Sequence, residues 1–167
     1  MRLAVVVFVA AVAVSPAAAA APVLRLDLAT QTLQGKAILG QRPQAVVRAL
    51  GRPTERTLGR RRARFSYGRE DHYSAIVLFR REGSVLRSWS VVLGDRRLRE
   101  TKLGLLLRLP PLRLQSRLVS ELGMRIVKRY HCAAICRGDV EMPDSNVRVG
   151  FGRVRGDPPY LVLYSAT

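Results

Sequence analysis

Between residues 38 and 93 the apolar positions follow two different periods. After Pro43, the residues Val46, Val47 and Leu50 fall on one face of a helix. Gly51 and then Arg52-Pro53 stop it, because glycine accepts the conformation past a helix end and proline cannot continue the helix. A period of two follows: Phe65 and Tyr67 alternate with Arg64 and Ser66, as on a strand packed on one side. Strands are predicted over residues 63–67, 74–79 and 85–93, with charged, glycine-bearing turns at 68–72 and 80–83. The expected core sets the Val46, Val47 and Leu50 stripe against Phe65, Ile76, Leu78 and Trp89. Each such side chain contributes about 1.5–3 kcal/mol when buried.

The same order recurs further along. Residues 103–114 are leucine-rich, and Pro110-Pro111 argues against a continuous helix there. Ser116 then reads as an N-cap, 117–122 as a helix and Gly123 as its stop, with strands at 124–130, 147–154 and 160–164. Upstream, residues 23–28 alternate apolar and charged positions, as in a half-buried edge strand. Ala45-Val-Val-Arg-Ala-Leu-Gly51 is echoed by Arg117-Leu-Val-Ser-Glu-Leu-Gly123, and Ser74-Ala-Ile-Val-Leu-Phe79 by Asn146-Val-Arg-Val-Gly-Phe151, both at an offset of 72 residues. A shared offset across a helix and a strand points to a duplicated unit. The predicted fold is therefore α+β: two tandem units, each a short helix on a three-stranded antiparallel sheet. They occupy residues 38–93 and 112–167, after a lead-in at 22–37 and around a linker at 94–111.

Residues 1–21 read as a cleaved secretory signal: Arg2, an apolar run over 4–14, then Ser15-Pro16 and a string of alanines. No cysteine follows to accept a lipid, and no later apolar run is long enough for a transmembrane helix. The protein is expected to be secreted or associated with the cell envelope, and not integral to the membrane. Export favours a disulfide between Cys132 and Cys136, the only two cysteines, across the loop Ala133-Ala-Ile135. Competing readings are a zinc site adding His131 and Asp139 or Glu141, a thiol nucleophile with a histidine base, and a redox pair.

Charge is the one functional clue. Lys and Arg number 29 against 12 Asp and Glu, a formal net charge of +17. Arg60-Arg61-Arg62 with Arg64, and Arg80-Arg81, stand near strand ends and form the candidate anion-binding set, with Arg96, Arg97 and Arg99 as a further cluster. Clustered guanidinium groups bind phosphates in bidentate fashion and attract polyanions at long range. Expected partners are an acidic envelope polymer or anionic lipid surface, or alternatively a secreted protein. Export and the lack of a recognisable module argue against specific nucleic-acid reading. No catalytic constellation, cofactor motif or metal site emerges. His72 beside Asp71 lacks a nucleophile, and Asp139 with Glu141 as an acid–base pair is weakened by Gly138 and Pro143, which predict a loop. Arg155-Gly-Asp157 reads as a turn.

Residues 40–53, read as Gly-x-x-x-x-x-Val-x-x-x-Leu-Gly-x-Pro and followed by Tyr67 and Val77-Leu-Phe79, resemble the SmpA/OmlA (BamE-like) domains. The tandem layout resembles that of the β-lactamase inhibitory proteins. One departure is Arg42, which stands where such domains usually cap the helix with Ser or Thr. The resemblance implies a non-enzymatic binding or assembly module and carries over no catalytic residue.

Overall fold

In a computed structural model the described residues are 24–69, 72–133, 135–154 and 159–166. The predicted signal segment and the Arg155-Gly-Asp157 turn lie outside them. Eight antiparallel strands form a single sheet, which replaces the two separate three-stranded sheets expected from the sequence. The first half supplies β4 (Glu55–Leu58), β5 (Arg62–Arg69), β6 (His72–Glu82) and β7 (Val85–Leu93). The second supplies β10 (Arg125–Cys132), β11 (Ile135–Glu141), β12 (Val147–Val154) and β13 (Tyr160–Ser165). Across the sheet the order is β10-β11-β12-β13-β7-β6-β5-β4. Each half thus contributes four strands, and among the described residues 52% are in strands. The protein is mainly β, not an α+β pair of helix-on-sheet units.

The halves join where β7 pairs with β13. Val91 faces Leu163 there, 72 residues away, flanked by Val92 with Val162 and Ser90 with Tyr164. The junction is centred on two residues separated by the same offset that relates the sequence echoes.

Two helices lie among the described residues. α1 (Pro43–Leu50) begins with proline at its first position and no side-chain cap on Arg42, and it ends at Gly51, whose φ of 85° is natural only for glycine. α2 (Pro111–Leu122) begins six residues earlier than expected. Pro110-Pro111 starts this helix instead of interrupting it, because a missing N–H is no loss in the first turn. Ser116 therefore sits mid-helix and is not the cap. Gln115, buried against the sheet, accepts from the Tyr130 N–H at 3.2 Å and donates to the Lys128 carbonyl at 3.0 Å. These are backbone groups of β10, whose pairing is irregular at this point.

The lead-in and the linker form a second, small sheet together. β1 (Arg25–Asp27) pairs antiparallel with β2 (Thr32–Leu33) and in parallel with β8 (Arg99–Glu100); β3 (Lys36–Ala37) and β9 (Gly104–Leu105) are its edges. Residues 23–28 were expected at an edge; β1 is instead the middle strand. Glu100, buried, stitches the two segments by accepting from the N–H groups of Leu28, Lys102 and Leu103 at 3.2, 2.6 and 2.7 Å. Its Leu26, Leu33 and the following Ile38 meet Val91, Leu93 and Leu163 at the centre of the large sheet.

One continuous core results, in which Phe65, Val77, Phe79, Val149, Phe151 and Leu161 point from the sheet towards Val46, Leu114 and Leu118 of the helices. Ile76, Leu78 and Trp89 do not join it. Ile76 and Leu78 alternate with buried Val77 and Phe79 and so lie on the opposite face, where they are part-exposed. Trp89 is the extra residue of a bulge, since Leu78 pairs with Ser90 and Phe79 with Ser88. Ser88 pins that bulge from the covered side: its hydroxyl donates to the Ile38 carbonyl and accepts from the Gln41 N–H at 2.9 Å.

Candidate binding face of the large sheet

Helices and small sheet cover one face of the eight-stranded sheet. The register lays out the other as rows that cross six strands. One row runs Ser66, Ile76, Val92, Val162, Gly150 and Asp139. The next runs Arg64, Leu78, Ser90, Tyr164, Arg148 and Glu141. Both have apolar or aromatic residues near the centre; the second row is charged at both ends, by Arg64 and by Arg148 with Glu141, and the first runs from neutral Ser66 to Asp139. Trp89, Leu78, Arg62 and Arg64 line a shallow depression of about 290 Å³ on the first-half side.

The predicted arginines are brought together at one end of the first half. Arg62 pairs with Arg80 across β5 and β6, and Arg80 pairs with Arg87 across β6 and β7, so the three arginines occupy one cross-strand row, from which Arg87 also donates to the Gly40 carbonyl at 2.9 Å. Arg87 belongs to this cluster and escaped the sequence reading; the turn at Gly83-Ser84 was the available signal, because it sets the hairpin register that opposes the two. Like charges directly opposite repel, and Glu82 relieves this, 3.0 Å from Arg80 and 3.9 Å from Arg87. Arg81 turns inward to the chain, donating to the carbonyls of Arg60 at 2.8 Å and Ser84 at 3.1 Å. Arg64 donates to the Ser66 hydroxyl and stands 5.5 Å from the Tyr73 ring centre. Arg60, Arg61 and Arg62 have no ion-pair partner among the described residues. Within the candidate set these three present the open positive charge. In the other cluster, Arg97 is tied to Asp95 at 2.9 Å.

The second half arranges its charges differently. Asp139, buried, accepts from Arg137 at 3.0 Å and from the Tyr164 hydroxyl at 3.2 Å, and Arg137 lies 5.9 Å from the Tyr164 ring centre. The network fits because Gly150 and Gly152 leave β12 bare beneath it. A Cβ on Gly150 would come within 2.8 Å of the Asp139 carboxylate, and one on Gly152 within 2.3 Å of the Cys136 carbonyl. Burial pushes the Tyr164 and Tyr160 hydroxyls up. Glu141 lies between Arg125 and Arg148, and the hydrogen bond from Arg125 holds its carboxyl below the usual range. A general acid needs its value raised instead. The segment around Gly138, predicted as a loop, is strand β11.

Cys132 and Cys136 form a disulfide that joins directly opposed residues of β10 and β11. Both thiols are consumed, which removes the zinc and nucleophile readings built on them. Among the described residues no group of three metal-ligating side chains occurs, and no helix is long and apolar enough to cross a membrane. Compared with protein-family models, with curated proteins and with solved structures, the chain finds no match.

Proposed function

We propose that the chain is a secreted, non-enzymatic binding protein that holds an acidic, folded protein partner against the open face of its large sheet. The observation that carries this reading is the make-up of the two cross-sheet rows, with Ile76, Val92, Val162 and Tyr164 central and Arg64 and Arg148 towards the flanks. An apolar and aromatic centre with a charged, arginine-rich rim is the anatomy of protein–protein interfaces. The positive excess selects an acidic partner and accelerates encounter. Export rests on the signal-like residues 1–21, and the resemblance to BamE-like and β-lactamase inhibitory proteins favours the same class of role: inhibition of an enzyme or assembly at the envelope.

The test is retention of proteins from an extracellular or envelope extract on the immobilised chain, washed at low and then high salt. One discrete protein surviving high salt, and lost with Val92→Glu or Val162→Glu, supports the reading. A second reading, binding of an anionic polymer or lipid surface, draws on Arg60, Arg61 and Arg62, which have no ion-pair partner among the described residues. It predicts that everything elutes at high salt and that Arg60→Ala, Arg61→Ala and Arg62→Ala together abolish retention while Val92→Glu does not, because polyanion binding decays steeply with ionic strength.

A further inference from the structure

Trp89 is the only tryptophan in the chain, and the bulge in β7 carries it out of the core to the open face. The backbone beneath it is fixed from the covered side. The Ser88 N–H donates to the Gln41 carbonyl at 2.9 Å, the Ser88 carbonyl accepts from the Gly40 N–H at 2.7 Å, and the Ser88 hydroxyl bonds to both Ile38 and Gln41. The segment leading into α1 thus sets where the indole stands. Tryptophan and arginine in a preformed depression are the residues on which protein interfaces concentrate their binding energy.

The depression beside Trp89, about 290 Å³, has Leu78 and Thr57 in its lining with Arg62 and Arg64, and none of its described lining residues is acidic. That volume lies at the lower end of small-molecule sites, roughly 300–1,000 Å³, and it suits one large side chain. Arg62 and Arg64 are two apart on β5 and share the open face, about 7 Å from each other along the strand. Arg64 is already held: its Nε donates to the Ser66 hydroxyl at 3.2 Å and its guanidinium lies over the Tyr73 ring. Arg62 is exposed, and its side chain has no hydrogen bond, ion pair or ring contact among the described residues. Opposite it stands Arg80, a like charge, while Glu82 pairs with Arg80 and Arg87. An apolar hollow with one unanswered guanidinium at its rim is complementary to an apolar side chain that adjoins a carboxylate. The second half offers no such site, since its Arg137 and Tyr164 are joined through Asp139.

We infer that the Trp89 depression is the anchor site for the acidic protein partner: it receives a side chain of phenylalanine or leucine size, and Arg62 binds a carboxylate adjoining that side chain in the partner's sequence. The inference rests on the protein-partner reading of the open face. As the sole tryptophan, Trp89 reports occupancy through its own emission. The full chain is titrated with the tripeptide Asp-Phe-Asp, acetylated and amidated, and with Lys-Phe-Lys and Asp-Gly-Asp blocked in the same way. A saturable blue shift with Asp-Phe-Asp alone is expected, because the ring displaces water from the indole. Arg62→Glu should weaken it about tenfold without lowering the melting temperature, since that side chain is exposed and unbonded. Arg96→Ala, which removes a charge elsewhere, should leave it intact. No saturable shift with Asp-Phe-Asp, equal binding of Lys-Phe-Lys, or binding unchanged by Arg62→Glu overturns the inference. So does a shift on concentrating the chain alone, which assigns the depression to a second copy, or binding of 4-phenylbutyrate as tight as that of the tripeptide, which assigns it to a free carboxylic acid. The two readings fail separately. Retention of a discrete protein that is lost with Val162→Glu, without tripeptide binding, overturns the anchor site alone; tripeptide binding with no protein retained supports the site and overturns the protein-partner reading.

Discussion

The two halves of the large sheet present the same kinds of side chain on the open face and use them in opposite ways. In the second half, Arg137 is held by buried Asp139 and covered by Tyr164, and Glu141 sits between two further arginines. In the first half, Glu82 pairs with Arg80 and Arg87 of the row Arg62, Arg80 and Arg87, and Arg60, Arg61 and Arg62 have no ion-pair partner among the described residues. The second half ties Arg125, Arg137 and Arg148 to carboxylates, whereas the first leaves Arg60, Arg61 and Arg62 without an ion-pair partner among the described residues. A count of arginines along the chain is therefore a poor guide to where an anionic surface would dock; what matters is which carboxylates the fold places beside them.

The comparison breaks most forcefully at the bare strand under the Arg137 network. Gly152→Ala sets a methyl group against the Cys136 carbonyl, a backbone atom that cannot step aside. Urea denaturation should show a loss of about 3 kcal/mol. Asp139→Ala comes next: it leaves the Tyr164 hydroxyl and Arg137 without their acceptor and should cost about 2 kcal/mol. The same change frees Arg137, so salt-sensitive retention on an anionic surface should rise even as stability falls, making the second half behave like the first.

A smaller effect of opposite sign is expected within the first half. The Tyr67 hydroxyl is buried with no hydrogen-bond partner among the described residues, and burial pushes its pKa up to about 12. Its stability contribution is present in full below the ordinary value of 10.0 and is lost as pH rises towards that raised value, because the unfolded chain ionises first. Tyr67→Phe should raise the unfolding free energy at neutral pH by about 1 kcal/mol and flatten the alkaline decline. Smallest is Glu141→Gln. Pairing depresses this carboxyl below its ordinary 4.5, so its contribution holds above that pH and is lost as pH falls through the lower folded value. The variant should show a shallower acid loss of stability than the parent, read from melting temperatures across the acid range.

Much of the local structure was legible in the chain, and the misses have common causes. Glycine after an amphipathic stripe located the ends of both helices, and alternation located β5, β6, β7, β12 and β13. β4 was missed because Glu55-Arg-Thr-Leu58 is an exposed edge with no apolar alternation, and β11 because Gly138 and Asp139 imitate a loop. Those glycines serve close packing: the Phe151 ring lies where a Cβ on Gly138 would be. The basic set Arg60, Arg61, Arg62, Arg64, Arg80 and Arg81 was found by composition, yet nothing local distinguished Arg81, which is bound to two carbonyls, from Arg60, which has no ion-pair partner among the described residues.

By itself the sequence determined the positive charge, the helix stops, most of the strands, the cysteine pair and the 72-residue echo, since each is a property of neighbouring residues or of composition. Only the tertiary structure decided that β7 and β13 fuse the halves at Val91 and Leu163, that lead-in and linker pair into a second sheet, and that Trp89 leaves the core at a bulge. Those outcomes depend on hydrogen bonds and contacts between segments far apart in the chain, whose energies no local window contains.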